Sequence, residues 1–247
     1  MTELQRPRGR LGMSGPTILP ISLAPLGFQM VYLVRQGPRA VLVDTGDPGY
    51  GATIVARIAR HGADPRQVSL ILLTHGHLDH FGSAPELRAL TGAPVAIHRL
   101  DAAAPRRGRN PPLRPTDPLG YLIRAVLRRR GPPFEPDILL DGETSLARFG
   151  VDAMVLPTPG HTPGSVSVLL SSGEAVVGDL LAGGTLRRHH ARYPYFAEDL
   201  EQLRGSLRAL MQRSPTTLLP GHRGPVPAGA VLRRFARDVD FDSDGRA

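Results

Sequence analysis

The 247-residue chain has no cysteine, no lysine and no tryptophan. Without thiols it can form no disulfide, no thiolate metal ligand and no cysteine nucleophile. All 30 of its basic residues are arginine, which excludes Schiff-base chemistry, a phosphate-loop lysine and a Ser-x-x-Lys acylation pair. No apolar run reaches the roughly 18 to 20 residues that span a bilayer. Residues 1–16, basic and rich in Gly and Pro, lack the apolar stretch of about 7 to 15 residues that a secretory signal carries. A cytoplasmic protein with no membrane partner is therefore expected. Any metal must sit on histidines and carboxylates.

What the chain does have is positive charge, a formal +8 distributed unevenly. Nine arginines (99, 106, 107, 109, 114, 124, 128, 129 and 130) face only Asp101 and Asp117 between Arg99 and Arg130. If that segment lines a cleft, the substrate carries a carboxylate or phosphate; if it faces outward, it serves solubility. Nucleic acid is disfavoured as a partner, because Phe and Tyr total twelve and base-stacking surfaces need aromatics.

Length and a 41% apolar content suit one sizeable domain. The pattern predicts strands at Thr17–Ser22, Gln29–Val34, Ala40–Val43, Val68–Leu73 and Pro94–Ile97, with helices at Tyr50–Arg60 and Ser83–Leu90. A Pro- and Arg-rich insertion, about 101–136, holds one predicted helix, Leu119–Arg130, with Leu119, Ile123, Val126 and Leu127 on one face. It is expected to act as a lid with its apolar side inward. Strands follow at Ile138–Leu140, Val151–Leu156, Ser165–Leu170, Ala175–Val177 and Thr216–Leu219, and helices at Phe196–Met211 and Ala228–Val239. The expected organisation is a flexible leader (1–16), one domain (17–239) and a flexible tail (240–247). Two halves of strands followed by helices suggest two sheets packed face to face with helices outside.

The strongest chemical signal is Thr74-His75-Gly76-His77-Leu78-Asp79-His80, directly after an apolar strand. In a turn leaving a strand end, His75 and His77 can share one ion while Asp79 and His80 turn toward a second. His161, Asp179 and His222 each follow a strand and each has Gly immediately before it, so tight turns can aim all three at the same cavity.

In this ordered set, His-x-His-x-Asp-His followed by His, Asp and His, the chain resembles the metallo-β-lactamase superfamily over roughly Thr17 to Val239. The resemblance implies an α+β fold, a four-layer αββα sandwich of two mixed sheets with a dinuclear site on one edge. It implies that His75, His77 and His161 hold one metal, that Asp79, His80 and His222 hold the other, and that Asp179 bridges them. Asp44, in Val43-Asp44-Thr45-Gly46, matches the family's early aspartate and is expected to orient ligands through hydrogen bonds. Two divalent ions, zinc first and iron or manganese after it, would supply a bridging hydroxide that attacks a carbonyl or phosphoryl centre. Asp79 is the expected catalytic base.

Branches of the family differ in ways that bear on substrate. An aspartate at the bridging position disfavours antibiotic hydrolysis. The segment Pro157 to Ser165 resembles glyoxalase II, but only 25 residues follow His222, too few for that enzyme's glutathione-binding domain. Quorum-signal lactonases have a tyrosine three residues after the bridging aspartate, where this chain has Ala182. Tyr193, Tyr195, His189 and His190 are the candidate substrate contacts. The expected function is hydrolysis of a small ester, thioester or lactone by a dinuclear metal site. The alternatives are a mononuclear iron enzyme resembling persulfide dioxygenases and a phosphodiesterase or nuclease of the same superfamily.

Overall fold

The structure is a computed structural model that describes residues 15–127, 130–184 and 190–236. Six strands form the first sheet: β1 (Thr17–Ser22), β2 (Met30–Gln36), β3 (Arg39–Val43), β4 (Val68–Leu72), β5 (Val95–His98) and β6 (Ile138–Leu140). They lie in chain order, with β1 to β3 antiparallel and β3 to β6 parallel. The parallel steps need crossovers. Helices α1 (Gly51–Arg60), α2 (Leu78–Phe81), α3 (Ala84–Thr91), α4 (Ala103–Arg107) and α5 (Pro118–Val126) lie in them.

The second sheet is built from β7 (Thr144–Ser145), β8 (Ala153–Pro157), β9 (Val166–Leu170) and β10 (Glu174–Gly178), then β13 (Thr217–Pro220) and β14 (Val226–Pro227). Its spatial order is β14-β13-β10-β9-β8-β7. A short ribbon, β11 (Ala182–Gly183) with β12 (Ala191–Arg192), leads to α6 (Leu200–Gln212), and α7 (Ala228–Arg234) closes the described chain.

Three hydrophobic clusters separate four layers. Alternation along β4 shows why: Ile71 and Leu73 pack with Ile54, Ile58 and Leu87 beneath the outer helices, whereas Leu70 and Leu72 face the second sheet. Val34, Val41 and Val43 meet Val155, Val168 and Val176 between the sheets. Val177 and Leu218 pack on Leu203, Leu207, Leu210 and Val231 on the far side. Burial on both faces explains the nearly continuous apolar runs of β4 and β10. The expected αββα sandwich is thus the observed one, each half of the chain supplying one sheet with its helices.

Several helix ends differ from the periodic reading. Helix α6 begins at Leu200 rather than Phe196, because Asp199, with an extended backbone, caps it by accepting from Gln202 N at 2.9 Å. Phe196 instead pairs with Pro115 in an isolated bridge. Asp199→Ala is expected to cost about 1 kcal/mol of stability, read by urea unfolding. Helix α5 runs from Pro118, capped by Asp117, only to Val126, and Arg130 is extended opposite Arg109. Of its expected apolar face, Leu119 is exposed, and Ile123 and Leu127 are half-buried. Residues 237–239, predicted to extend α7, lie outside the described residues, as do most of the leader and the tail. No helix among the described residues is long and apolar enough to cross a membrane.

Candidate metal centre

The parallel strands β3 and β4 end side by side, and the loops leaving them carry the first half of the centre. Asp44 follows β3 with a left-handed backbone, φ 64°, a conformation that costs a non-glycine residue energy and is kept where geometry demands it. Its carboxylate accepts from Thr74 N at 2.8 Å, from Thr74 Oγ1 at 2.8 Å and from His80 Nδ1 at 2.8 Å. The segment read as a plain turn is partly helical: Leu78–Phe81 forms α2, which carries Asp79 and His80 and sets the His80 ring 4.0 Å from that of His75. Thr45 Oγ1 donates to His80 O at 2.7 Å and anchors that helix from β3.

The second sheet supplies the other half. His161 follows β8 through Gly160, whose φ of 127° suits glycine and whose missing Cβ would collide with the Leu203 backbone of α6. Asp179 follows β10, and His222 follows β13 through Gly221, where a Cβ would strike the His80 ring. The glycines before His161 and His222 therefore serve close approach as well as turning.

All seven predicted residues converge. His161 Nε2 lies 2.9 Å from His77 Nδ1 and 3.1 Å from His75 Nε2, and the latter two nitrogens are 3.1 Å apart. His222 Nε2 is 3.2 Å from Asp79 Oδ2. Asp179 stands between: its Oδ2 is 3.6 Å from His161 Nε2 and 3.4 Å from His222 Nε2, and its Oδ1 is 3.5 Å from His80 Nε2. Three overlapping donor groups result, His75–His77–His161, His75–His80–Asp179 and Asp79–His80–His222.

The protons show what such an arrangement fits. His161 Nδ1 donates to Phe196 O at 2.7 Å, which leaves its Nε2 a bare acceptor, and His222 Nδ1 donates to Phe28 O at 2.6 Å. Thr74 gives its single hydroxyl proton to Asp44, so its oxygen accepts from His75 Nδ1 at 3.1 Å, and His75 Nε2 is bare as well. Two lone pairs thus face each other at 3.1 Å, a repulsive contact without a cation between them. Nitrogens on a tetrahedral zinc ion stand about 3.3 Å apart. His80 Nε2 and Asp179 Oδ1, both buried, have no hydrogen-bond partner, the state expected of metal ligands rather than of packed core groups.

The sequence pattern of the metallo-beta-lactamase superfamily matches residues 24–222, most of the chain. The chain belongs to this superfamily. Among its relatives is the probable metallo-hydrolase YflN of Bacillus subtilis, 27% identical over 92% of this chain and 90% of that protein. A hydroxyacylglutathione hydrolase of Anaeromyxobacter dehalogenans is 35% identical over 61% of this chain, which spans 45% of that protein. Among solved structures, TTHA1623 in a di-iron-bound form has TM-score 0.65 and 28% identity over 87% of this chain and 98% of that one. The BLEG-1 B3 metallo-beta-lactamase, at TM-score 0.66 and 24% identity over 88% of this chain and 97% of that one, shares the fold.

Within this superfamily member, burial and neighbouring charge divide the histidines into two sets. Burial first, then mutual repulsion, lowers His77 and His161 to about 3 and His75 well below its usual range. Burial also opposes charge on His80 and His222, but the carboxylates of Asp44, Asp179 and Asp79 outweigh it, lifting His80 to about 9, while Asp179 and Asp79 lift His222 to about 10. Since unfolded histidine titrates near 6.5, His80 and His222 stabilise the metal-free fold below about pH 6.5, and that contribution is lost as pH rises through 9 and 10. His77 and His161 act in the opposite sense, weakening the fold as pH falls from about 6.5 toward 3. At pH 7 zinc is therefore expected to displace about two protons, one each from His80 and His222. Calorimetry in buffers of different ionisation enthalpy measures this, and no proton release would contradict the charge assignment.

The remaining predicted contacts separate. Tyr193 packs its ring on Phe235 at 4.5 Å, Tyr195 lies under Arg192 at 3.6 Å, and His190 is exposed. His189 lies outside the described residues. Several of the insertion's arginines are exposed. Asn110 Oδ1 accepts from Leu78 N at 2.6 Å, a Cβ on Gly131 would meet Leu78, and the flanking pair Arg109 and Arg130, joined by a bridge, is exposed. Arg106 pairs with Glu135 at 2.6 Å on the surface. One residue escaped the sequence reading: Asp101, buried just beyond β5, reaches the loops of both sheets. Its position after a parallel strand, like that of Asp44, was the available signal.

Proposed function

We propose that the protein is a dinuclear metal-dependent hydrolase of a small ester, thioester or lactone. One observation carries this reading: Asp179 stands within 3.6 Å of nitrogens from both outer donor groups, His161 on one side and His80 and His222 on the other. In this reading His75, His77 and His161 hold one ion, Asp79, His80 and His222 hold the second, and Asp179 serves both. Two divalent ions so held would supply a hydroxide nucleophile at neutral pH and positive charge for a developing oxyanion.

The chain's own groups would do the rest. Phe196 O and Phe28 O fix the tautomers of His161 and His222, and Asp44 does the same for His80. Asp79 is the most exposed carboxylate of the cluster, 33% by side chain. The charge of His80 and the hydrogen bond from His222 overcome its burial and hold it well below the usual carboxylate range. It is thus ionised, the form in which Oδ2 can accept a hydrogen bond from the attacking water and orient it. Phe28, half exposed with its ring 5.9 Å from that of His222, offers an apolar edge to an acyl group. The hydroxyacylglutathione hydrolases among the relatives, including that of Acidiphilium cryptum at 30% identity over 86% of this chain, support acyl transfer to water, and the di-iron form of TTHA1623 supports two ions and keeps iron beside zinc.

The test is metal content of protein purified without added metal, together with turnover of thioester, lactone and phosphodiester panels. About two ions per chain with carbonyl-ester turnover is the expected result. One iron per chain with no hydrolysis would overturn it in favour of oxidation, with a persulfide the next substrate to try. Phosphodiester turnover alone would overturn the carbonyl assignment.

A further inference from the structure

We infer that Asp101 is a positioning residue that sets the spacing of the three-histidine group by tying together two loops from different sheets. Its Oδ2 accepts from Gly76 N at 2.7 Å and from Thr162 Oγ1 at 2.6 Å, and its Oδ1 accepts from Gly164 N at 2.8 Å. Gly76 lies between His75 and His77, and Thr162 follows His161. One buried carboxylate, 6% exposed, therefore holds residues adjoining all three members of the His75–His77–His161 group, without a hydrogen bond to any of their rings.

The surroundings leave it little freedom. A Cβ on Gly164 would lie 2.6 Å from Asp101 Cγ, and one on Gly76 would lie 3.1 Å from Asp101 O and 3.0 Å from Ala104 Cβ, so both loops are drawn against the carboxylate as closely as their backbones allow. Thr162 is fixed further by Ser165, whose Oγ lies 2.8 Å from Thr162 Oγ1 and accepts from Thr162 N at 3.0 Å. Asp44 performs the corresponding task for His80, but through direct contact with the ring. The two acids thus divide the centre: Asp44 orients one imidazole, and Asp101 sets the gap between loops. Asn cannot replace Asp101 fully, because its amide would point N–H groups at Gly164 N or at the Gly76–Thr162 pair, all of which donate.

This inference rests on reading the three histidines as metal ligands, and the experiment separates the two. Zinc affinity is measured by competition with a chromophoric chelator in the full chain and in His222→Ala, which keeps the three-histidine group. Adding D101N to His222→Ala is expected to weaken zinc binding by about 10- to 100-fold, the range found for groups that orient ligands, with Thr162→Val shifting it less in the same direction. Leu87→Ala, at a position that makes no hydrogen bond to a proposed ligand and packs beneath the outer helices, lowers stability and is expected to leave affinity unchanged. Equal affinity with and without D101N overturns the role of Asp101, as does an equal loss in Leu87→Ala. No zinc bound by the unmodified chain overturns the ligand reading itself.

Discussion

Replacing Asp179 with alanine is expected to reduce kcat/KM about a thousandfold, ~4 kcal/mol of transition-state stabilisation, and to lower bound metal from two ions per chain to one or none. The size follows from where the side chain stands. Its two oxygens lie 3.4 to 3.6 Å from His222, His80 and His161 Nε2, so its loss removes a donor from both ends of the cluster at once. His80 and His222 would keep Asp79 alone as a carboxylate on that side, at 3.9 and 3.2 Å. Metal analysis and steady-state rates on the folded variant decide the matter. A soluble protein that kept both ions and its rate would show that Asp179 does not bridge.

Asp44→Ala is expected to cost about 3 to 5 kcal/mol of stability in the metal-free protein. Three donors, Thr74 N, Thr74 Oγ1 and His80 Nδ1, lose their acceptor inside the fold, and His80 loses the nearest of the carboxylates that raise it to about 9. Alanine must also adopt the φ of 64°, where aspartate and asparagine are better tolerated. Asp44→Asn keeps one acceptor oxygen and that backbone preference, so it is expected to fall between wild type and alanine. Urea unfolding at constant m measures the difference. With the pKa of His80 lowered, the protons released on zinc binding at pH 7 should drop from about two toward one.

The sequence was most informative where one residue's type determines one outcome. The run His75 to His80 and the Gly-preceded His161 and His222 required no knowledge of the tertiary contacts, because strand ends and glycine turns are local. The four-layer arrangement was legible from strands such as β4, apolar on both faces, and from the period of Leu203, Leu207 and Leu210 in α6. Helix ends were less so: Phe196 continues the apolar period of α6, yet a cap at Asp199 and a bridge to Pro115 set its boundary. Beyond its position after β5, nothing local marked Asp101, because its partners are 25, 61 and 63 residues distant and two of them are backbone amides, which every sequence has. The bridge between Arg109 and Arg130 likewise joins segments that no local pattern links.

Each outer donor group takes two residues from the loop after β4 and one from the second sheet: His161 joins His75 and His77, and His222 joins Asp79 and His80. Neither half of the chain therefore holds a complete outer donor group, and the centre is whole only when the two sheets are docked. A cavity opened between the sheets, for example by Val168→Ala among Val34, Val43 and Val155, would reach the histidines as a change of alignment. Such a variant should surrender metal while its secondary structure is still whole, so ion occupancy is the most sensitive gauge of how well the two sheets are docked.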